Sequence, residues 1–309
     1  MPRNPGANYH TGKYFSAKSA SGSVVSILKI LLVHGFTQNA KCMIPFAEEL
    51  DSALEPISKV FPSDNDPYGY VPVGLKTELE SSEAVITSRL ALHRLSSSIY
   101  GVDLPGHGLS SSVQTGPWET AGSLGKTFGR GVYIGYSMGA RICLYLALSS
   151  PELIEALILV SGSAGIEDED ARIARKSSDD ALAISLEEGR PDLATFLERW
   201  TEQPLFSTLP AQSRMIAERM TNTPAGLSSS LRLCGAGACD SLWGRLHELA
   251  MPVHCIAGML DGRYSYYALR MARLIGANAT VSLVQSAGHA CYAERPKLAS
   301  LLIANLLGH

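Results

Sequence analysis

The chain has 309 residues, 46% hydrophobic and 18% charged, with a formal net charge of −3. That balance excludes a disordered or membrane-embedded chain and supplies enough apolar material for one large core. With no basic cluster to meet nucleic acid or an acidic membrane surface, the expected partner is a small molecule. The six cysteines (Cys42, Cys143, Cys234, Cys239, Cys255, Cys291) are spread along the chain without a CxxC pair, mostly in apolar contexts. This favours a reducing, cytoplasmic setting. Met1 to Gly22 is polar and unlike a signal peptide, and no run reaches the roughly 20 apolar residues of a membrane helix, so no membrane insertion is expected.

In chain order, an edge strand is expected around Tyr9 to Phe15, followed by a buried strand over Ile27 to Val33 that stops at His34-Gly35. Roughly Glu55 to Glu83 is rich in Pro, Ser, Asp, Gly and Tyr and reads as an irregular excursion off the sheet. Further buried strands are expected over Ser98 to Val102, Gly131 to Ile134, Leu157 to Val160, Pro252 to Ala257 and Val281 to Gln285. Helical patterns at Ala140 to Leu148 and Ser265 to Leu274 alternate with them, which predicts a mostly parallel sheet flanked by helices. Between two late strands, roughly Ile166 to Ala250 has helical patterns (Asp168 to Leu186, Asp192 to Trp200, Gln212 to Met220) and no convincing strand. The expected organisation is a single α/β domain over 1–309, with a helical lid inserted at 166–250 and an excursion at 55–83.

The strongest local signal is Gly135-Tyr136-Ser137-Met138-Gly139, directly after an apolar strand and before a helix. This is the nucleophile elbow of the α/β-hydrolase fold, in which the serine sits on a strained turn and glycines let neighbouring backbone pass close by. The plainer alternative is a helix-capping serine. In this fold the acid and then the histidine follow the serine. His289, in Ser286-Ala287-Gly288-His289, opens a loop after a strand and fits as the base. Asp261 follows the Pro252 to Ala257 strand and could hold the imidazole in its useful tautomer, or be a turn aspartate beside glycine. Of the other histidines, His10, His93 and His309 read as solvated, His247 and His254 as surface or packed, His34 as a structural loop residue and His107 as free of any chemical role. The backbone N–H groups of Phe36 and Met138 would form the oxyanion hole. Arg141, one helical turn past Ser137, should be partly buried near the site. It either pairs internally with a carboxylate or grips a substrate carboxylate.

His34-Gly35-Phe36-Thr37, Asp103 to Gly108, Gly135 to Arg141, Phe196-Leu197-Glu198-Arg199-Trp200 with Gln203-Pro204-Leu205-Phe206, and Ala287-Gly288-His289 together resemble the menaquinone-pathway 2-succinyl-6-hydroxy-2,4-cyclohexadiene-1-carboxylate synthases. The resemblance runs from about Lys29 to the C-terminus, apart from the excursion. It implies a lyase without cofactor or metal that eliminates pyruvate from 2-succinyl-5-enolpyruvyl-6-hydroxy-3-cyclohexene-1-carboxylate, a small polycarboxylate. The serine then acts as a base tuned by His289 and Asp261. The resemblance also implies that Arg141, Arg175 and Arg219 bind carboxylates and that Tyr136 and Trp200 line the pocket; for Arg175 and Arg219 a solvated helical position is the alternative. Thr201, where the family commonly has an aromatic, Ala140 in place of a second glycine, and the 55–83 excursion depart from its pattern. The competing readings are a carboxylesterase or carbon–carbon bond hydrolase using the same Ser-His-Asp set, and a non-catalytic scaffold. The oligomeric state is left open.

Overall fold

A computed structural model describes residues 28–58, 91–94 and 98–307 of the protein. The expected strand at Tyr9 to Phe15 and residues 59–83 of the excursion lie outside them.

The chain begins with β1 (Ile30–Val33), α1 (Ile44–Ser58), β2 (Ala91–Arg94), β3 (Ile99–Asp103), α2 (Pro117–Phe128), β4 (Gly131–Tyr136), α3 (Met138–Ser149) and β5 (Ile154–Val160). Four helices follow, α4 (Glu169–Glu187), α5 (Leu193–Thr201), α6 (Ile216–Arg219) and α7 (Pro224–Cys234), separated by short 3-10 turns. The chain then returns to the sheet through β6 (Val253–Gly258), α8 (Gly262–Ile275), β7 (Ala279–Val284), α9 (Cys291–Glu294) and α10 (Pro296–Leu306). The strands form one seven-stranded sheet in the order β2-β3-β1-β4-β5-β6-β7. All neighbours are parallel except β2, which runs antiparallel to β3.

The central strands are buried on both faces, which is why Ile-Leu-Leu-Val in β1 and Leu-Ile-Leu-Val in β5 read as unbroken apolar runs. The sheet separates two cores. One packs α2, α3 and α8 through Leu124, Leu144, Leu146 and Met271, and the other packs α1, α9 and α10 through Phe46, Leu50, Tyr292 and Ile303. A third, smaller cluster of Leu186, Phe196, Leu197, Leu227 and Leu231 holds α4, α5 and α7 together.

Two expectations about elements need correction. Helix α1 runs to Ser58, into the stretch expected to leave the sheet at Glu55, because Phe46, Leu50 and Leu54 recur at helical spacing and pack into the second core. The single helix expected over Gln212 to Met220 is broken into a 3-10 turn (Ala211–Arg214) and α6 by Met215, which adopts a left-handed φ of 53°. Arg219 fastens that break by donating from Nε to the Arg214 carbonyl at 2.7 Å.

Candidate functional site

Every loop that meets at the site leaves the C-terminal end of a parallel strand, the end at which open α/β sheets place their ligand crevices. Ser137 follows β4 with φ 52° and ψ −107°, a region that L residues rarely adopt. The flanking glycines are sterically required: a Cβ on Gly139 would lie 2.1 Å from the Val33 carbonyl oxygen, and one on Gly135 would lie 2.6 Å from the Ala140 backbone. Ala140 is itself fully buried, where a Cβ on Gly162 would come within 2.7 Å of its methyl.

Asp261 ends the loop after β6 and divides its two oxygens between two tasks. Oδ1 accepts from Tyr264 N at 3.1 Å and caps α8, which is why that helix starts at Gly262, earlier than its apolar pattern. Oδ2 accepts from His289 Nδ1 at 2.9 Å. A carboxylate can only accept, so Nδ1 carries the proton and Nε2 presents a lone pair to Ser137 Oγ, 3.1 Å away. His289 is 1% exposed. Its loop is held by Glu294, whose oxygens accept from the N–H groups on either side of the histidine, Gly288 at 2.8 Å and Ala290 at 3.1 Å.

On the opposite side lies the loop after β1. Gly35 N donates to Gln38 Oε1 at 3.1 Å, and Thr37 N donates to His107 Nε2 at 3.3 Å. The N–H groups of Phe36 and Met138 make no hydrogen bond to the described residues. His34 and His107 are buried, and each binds a backbone carbonyl through Nδ1 and a backbone N–H through Nε2, so both are neutral structural groups. Burial pushes His34 down to about 4 and His107 to about 3. Asp103 ties the loops together by accepting from Ala40 N at 2.7 Å and Leu109 N at 2.9 Å.

Aromatic rings form the wall. Trp200 packs edge-on to Phe36 with centroids 4.9 Å apart, and Phe206, Tyr136 and Tyr264 lie 5.8, 5.5 and 4.3 Å from the His289 ring. Trp200 Nε1 is buried without a partner among the described residues. Thr201 turns its hydroxyl back onto the carbonyls of Leu197 and Glu198. It stands at the end of α5 and leaves the wall to Trp200 and Phe206.

The three singled-out arginines differ. Arg141 is 7% exposed and binds neutral groups, with Nε to Cys239 Sγ at 3.3 Å and Nη2 to the Cys234 carbonyl at 3.1 Å. The internal salt bridge considered for it is not formed with any described residue. Arg219, 3% exposed, donates to Arg214 O and to Thr37 Oγ1, again with no carboxylate among the described residues within ion-pair distance. Arg175 is half-exposed and paired with Asp179 at 2.8 Å through Nε. The positive field of Arg141 and then Arg175 opposes the rise that burial imposes on the Tyr264 hydroxyl, so both guanidinia act on the ring beside His289. Sequence reasoning missed Tyr264, Glu294 and Cys239. The i+3 capping relation to Asp261 was the one signal that could have drawn attention to Tyr264. Among the described residues no group of three His, Cys, Asp or Glu is arranged to hold a metal ion, and no helix is long and apolar enough to cross a membrane.

A parallel sheet with a serine on a strained strand-to-helix turn, hydrogen-bonded through histidine to aspartate, defines a serine-triad enzyme scaffold. The chain belongs to the alpha/beta hydrolase family, whose signature matches residues 30–299. It is similar to the chloroplastic protein PHYLLO of Arabidopsis thaliana (31% identity over 67% of this chain and 13% of that protein). It is also similar to the putative 2-succinyl-6-hydroxy-2,4-cyclohexadiene-1-carboxylate synthase of Bacillus subtilis (31% identity over 56% of this chain and 64% of that protein). The match therefore spans less than two thirds of the length of either relative. Among solved structures, MenH from S. aureus superposes with a TM-score of 0.70 at 25% identity, covering 91% of this chain and 93% of that one.

Proposed function

We propose that this chain is a lyase that eliminates pyruvate from 2-succinyl-5-enolpyruvyl-6-hydroxy-3-cyclohexene-1-carboxylate to give 2-succinyl-6-hydroxy-2,4-cyclohexadiene-1-carboxylate. The observation that carries the reading is that Arg141 and Arg219 are buried near the serine–histidine–aspartate chain with no carboxylate of the described residues within ion-pair distance. Uncompensated buried guanidinium is costly and is satisfied by an anionic ligand, for which the planar fork is suited. A simple ester would not need it.

The reaction shifts a ring double bond. A proton leaves the carbon bearing the succinyl group, the 3-ene becomes a 2,4-diene, and the bond to the enolpyruvyl oxygen breaks. The leaving enolate gains a proton to become pyruvate. Ser137, its own proton taken up by His289 Nε2 while Asp261 holds Nδ1–H, is the base that takes the carbon-bound proton. The N–H groups of Phe36 and Met138 receive the negative charge that develops on the succinyl carbonyl. Arg141, Arg175 and Arg219 bind the carboxylates, and Tyr136, Trp200 and Phe206 exclude water above the ring. In this reading the helices between β5 and β6 act as the lid of the pocket.

The test is pyruvate release from the freshly generated substrate, comparing wild type with Ser137→Ala and Arg141→Ala. Fast release that collapses by on the order of a hundredfold or more in both variants supports the lyase. Release no faster than background, with Ser137-dependent cleavage of simple esters that Arg141→Ala leaves intact, would make the protein a hydrolase.

A further inference from the structure

Arg141 is buried, yet each group that orients it is neutral. Cys239 Sγ accepts from its Nε at 3.3 Å, and the Cys234 carbonyl accepts from its Nη2 at 3.1 Å. The thiol in turn donates to the same Cys234 carbonyl at 3.5 Å, closing a small ring of guanidinium, sulfur and carbonyl. In the S–H form that this contact calls for, the sulfur turns a lone pair toward the guanidinium. Arg141 Nη1 makes no hydrogen bond to the described residues, so one edge of the fork is clamped and the other is open.

The nearby carboxylates are committed elsewhere. Asp179 accepts from Arg175 Nε at 2.8 Å and from Gly237 N at 3.4 Å, while the exposed Asp240 takes the Trp118 indole N–H at 3.2 Å. The turn that carries Cys239 is also closely packed. A Cβ on Gly237 would lie 2.2 Å from Lys176 N, and one on Gly235 would lie 2.3 Å from Leu231 O. Cys239 itself has no exposed surface and packs in the main core.

We infer that Cys239 is a positioning residue for Arg141 that aligns the guanidinium while leaving its charge unspent for a substrate carboxylate. The inference rests on the reading that the site takes a carboxylate substrate. A thiol is a weak acceptor and carries no charge, so it fixes direction without neutralising. A carboxylate at the same place would form a buried ion pair and compete with the substrate for Arg141.

The experiment compares Cys239→Ser, Cys239→Ala and Cys239→Asp with wild type, measuring KM and kcat for pyruvate release and, by calorimetry, the affinity for succinate as a free dicarboxylate probe. Cys239→Asp is expected to raise KM at least tenfold with a smaller change in kcat, and to weaken succinate by a similar factor. Cys239→Ala is expected to raise KM severalfold, and Cys239→Ser, which keeps an acceptor, to stay close to wild type. If Cys239→Asp does not fold by circular dichroism, the Ser and Ala pair decides. Wild-type KM and succinate affinity in Cys239→Asp, or in Cys239→Ala when the Asp variant does not fold, would overturn the role of Cys239 and leave the lyase reading standing. A wild type that neither releases pyruvate nor binds succinate would overturn both.

Discussion

Asp261 shows how closely local structure and chemistry are joined in this chain, because the carboxylate that starts α8 is the one that fixes the His289 tautomer. Asp261→Asn can still cap the helix through its amide oxygen but offers Nδ1 no anion. The expected result is an almost unchanged melting temperature with kcat lowered on the order of a thousandfold or more, read from pyruvate release. Glu294 acts one step further out, since it touches only the backbone on both sides of His289. Glu294→Gln keeps one acceptor and turns the other into a donor facing an N–H. It should lower stability by about 1.5–3 kcal/mol, as expected for a lost charge-assisted hydrogen bond, and reduce kcat more than it raises KM. Urea unfolding and steady-state kinetics on the same preparation separate the two effects. Ser137 was legible from its sequence context because the elbow needs glycine on both sides, at Gly135 and Gly139, where a Cβ would strike backbone. Glu294 was not legible, because a carboxylate that holds a loop leaves no spacing rule behind.

The helices between β5 and β6 are attached to the sheet unevenly. Around α6 the attachment is dense. Asn222 Nδ2 donates to the Thr37 carbonyl at 2.7 Å while its Oδ1 accepts from Gly108 N at 2.7 Å, and Asn39 Nδ2 reaches the Glu218 carbonyl at 2.8 Å. This part is therefore continuous with the loops carrying Phe36 N–H and His107. Helix α4, by contrast, is exposed along much of its length and carries the i,i+3 and i,i+4 ion pairs Arg172–Glu169 and Lys176–Asp180. Exposed pairs of that kind are worth only a few tenths of a kcal/mol. Any opening of the site should therefore hinge near α4 and spare α6. Asn222→Ala is expected to raise amide hydrogen exchange at 35–39 and 104–109 together, with the α4 amides unchanged; exchange that rises only within α6 would sink the coupling. Amphipathic spacing made α4 and α5 visible in the sequence, whereas the left-handed Met215 that splits the next helix is a demand of tertiary contacts and has no local signature. Helix α7, opened by the Thr223 cap and Pro224, escaped notice because its small and polar residues dilute the apolar stripe.

At the scale of the whole molecule the buried histidines set the response to acid. His34, His107 and His254 are held neutral by burial, down to about 4, about 3 and about 4, against an unfolded value of 6.5. The unfolded chain therefore binds more protons than the folded one below about pH 6.5. Stability is full above that value and falls as pH drops toward 4, by at most ~1.4 kcal/mol per pH unit for each histidine. Chemical unfolding at pH 7, 6 and 5 should follow that slope, and His254→Gln, which removes a ring seated between Thr280 and Ser282, should make it shallower. The sheet order was accessible only in outline, because apolar runs identify buried strands without saying which neighbour each takes; the antiparallel β2 at the edge illustrates the gap. The six cysteines, all free and all buried, give the molecule a set of internal clocks. Cys239 lies on the turn after α7, whereas Cys143 on α3 and Cys255 on β6 belong to the sheet scaffold, so a thiol reagent that reaches Cys239 first would report an opening between α7 and the sheet. The ratio of those labelling rates would time the breathing of the pocket in the wild-type chain, with no substitution introduced.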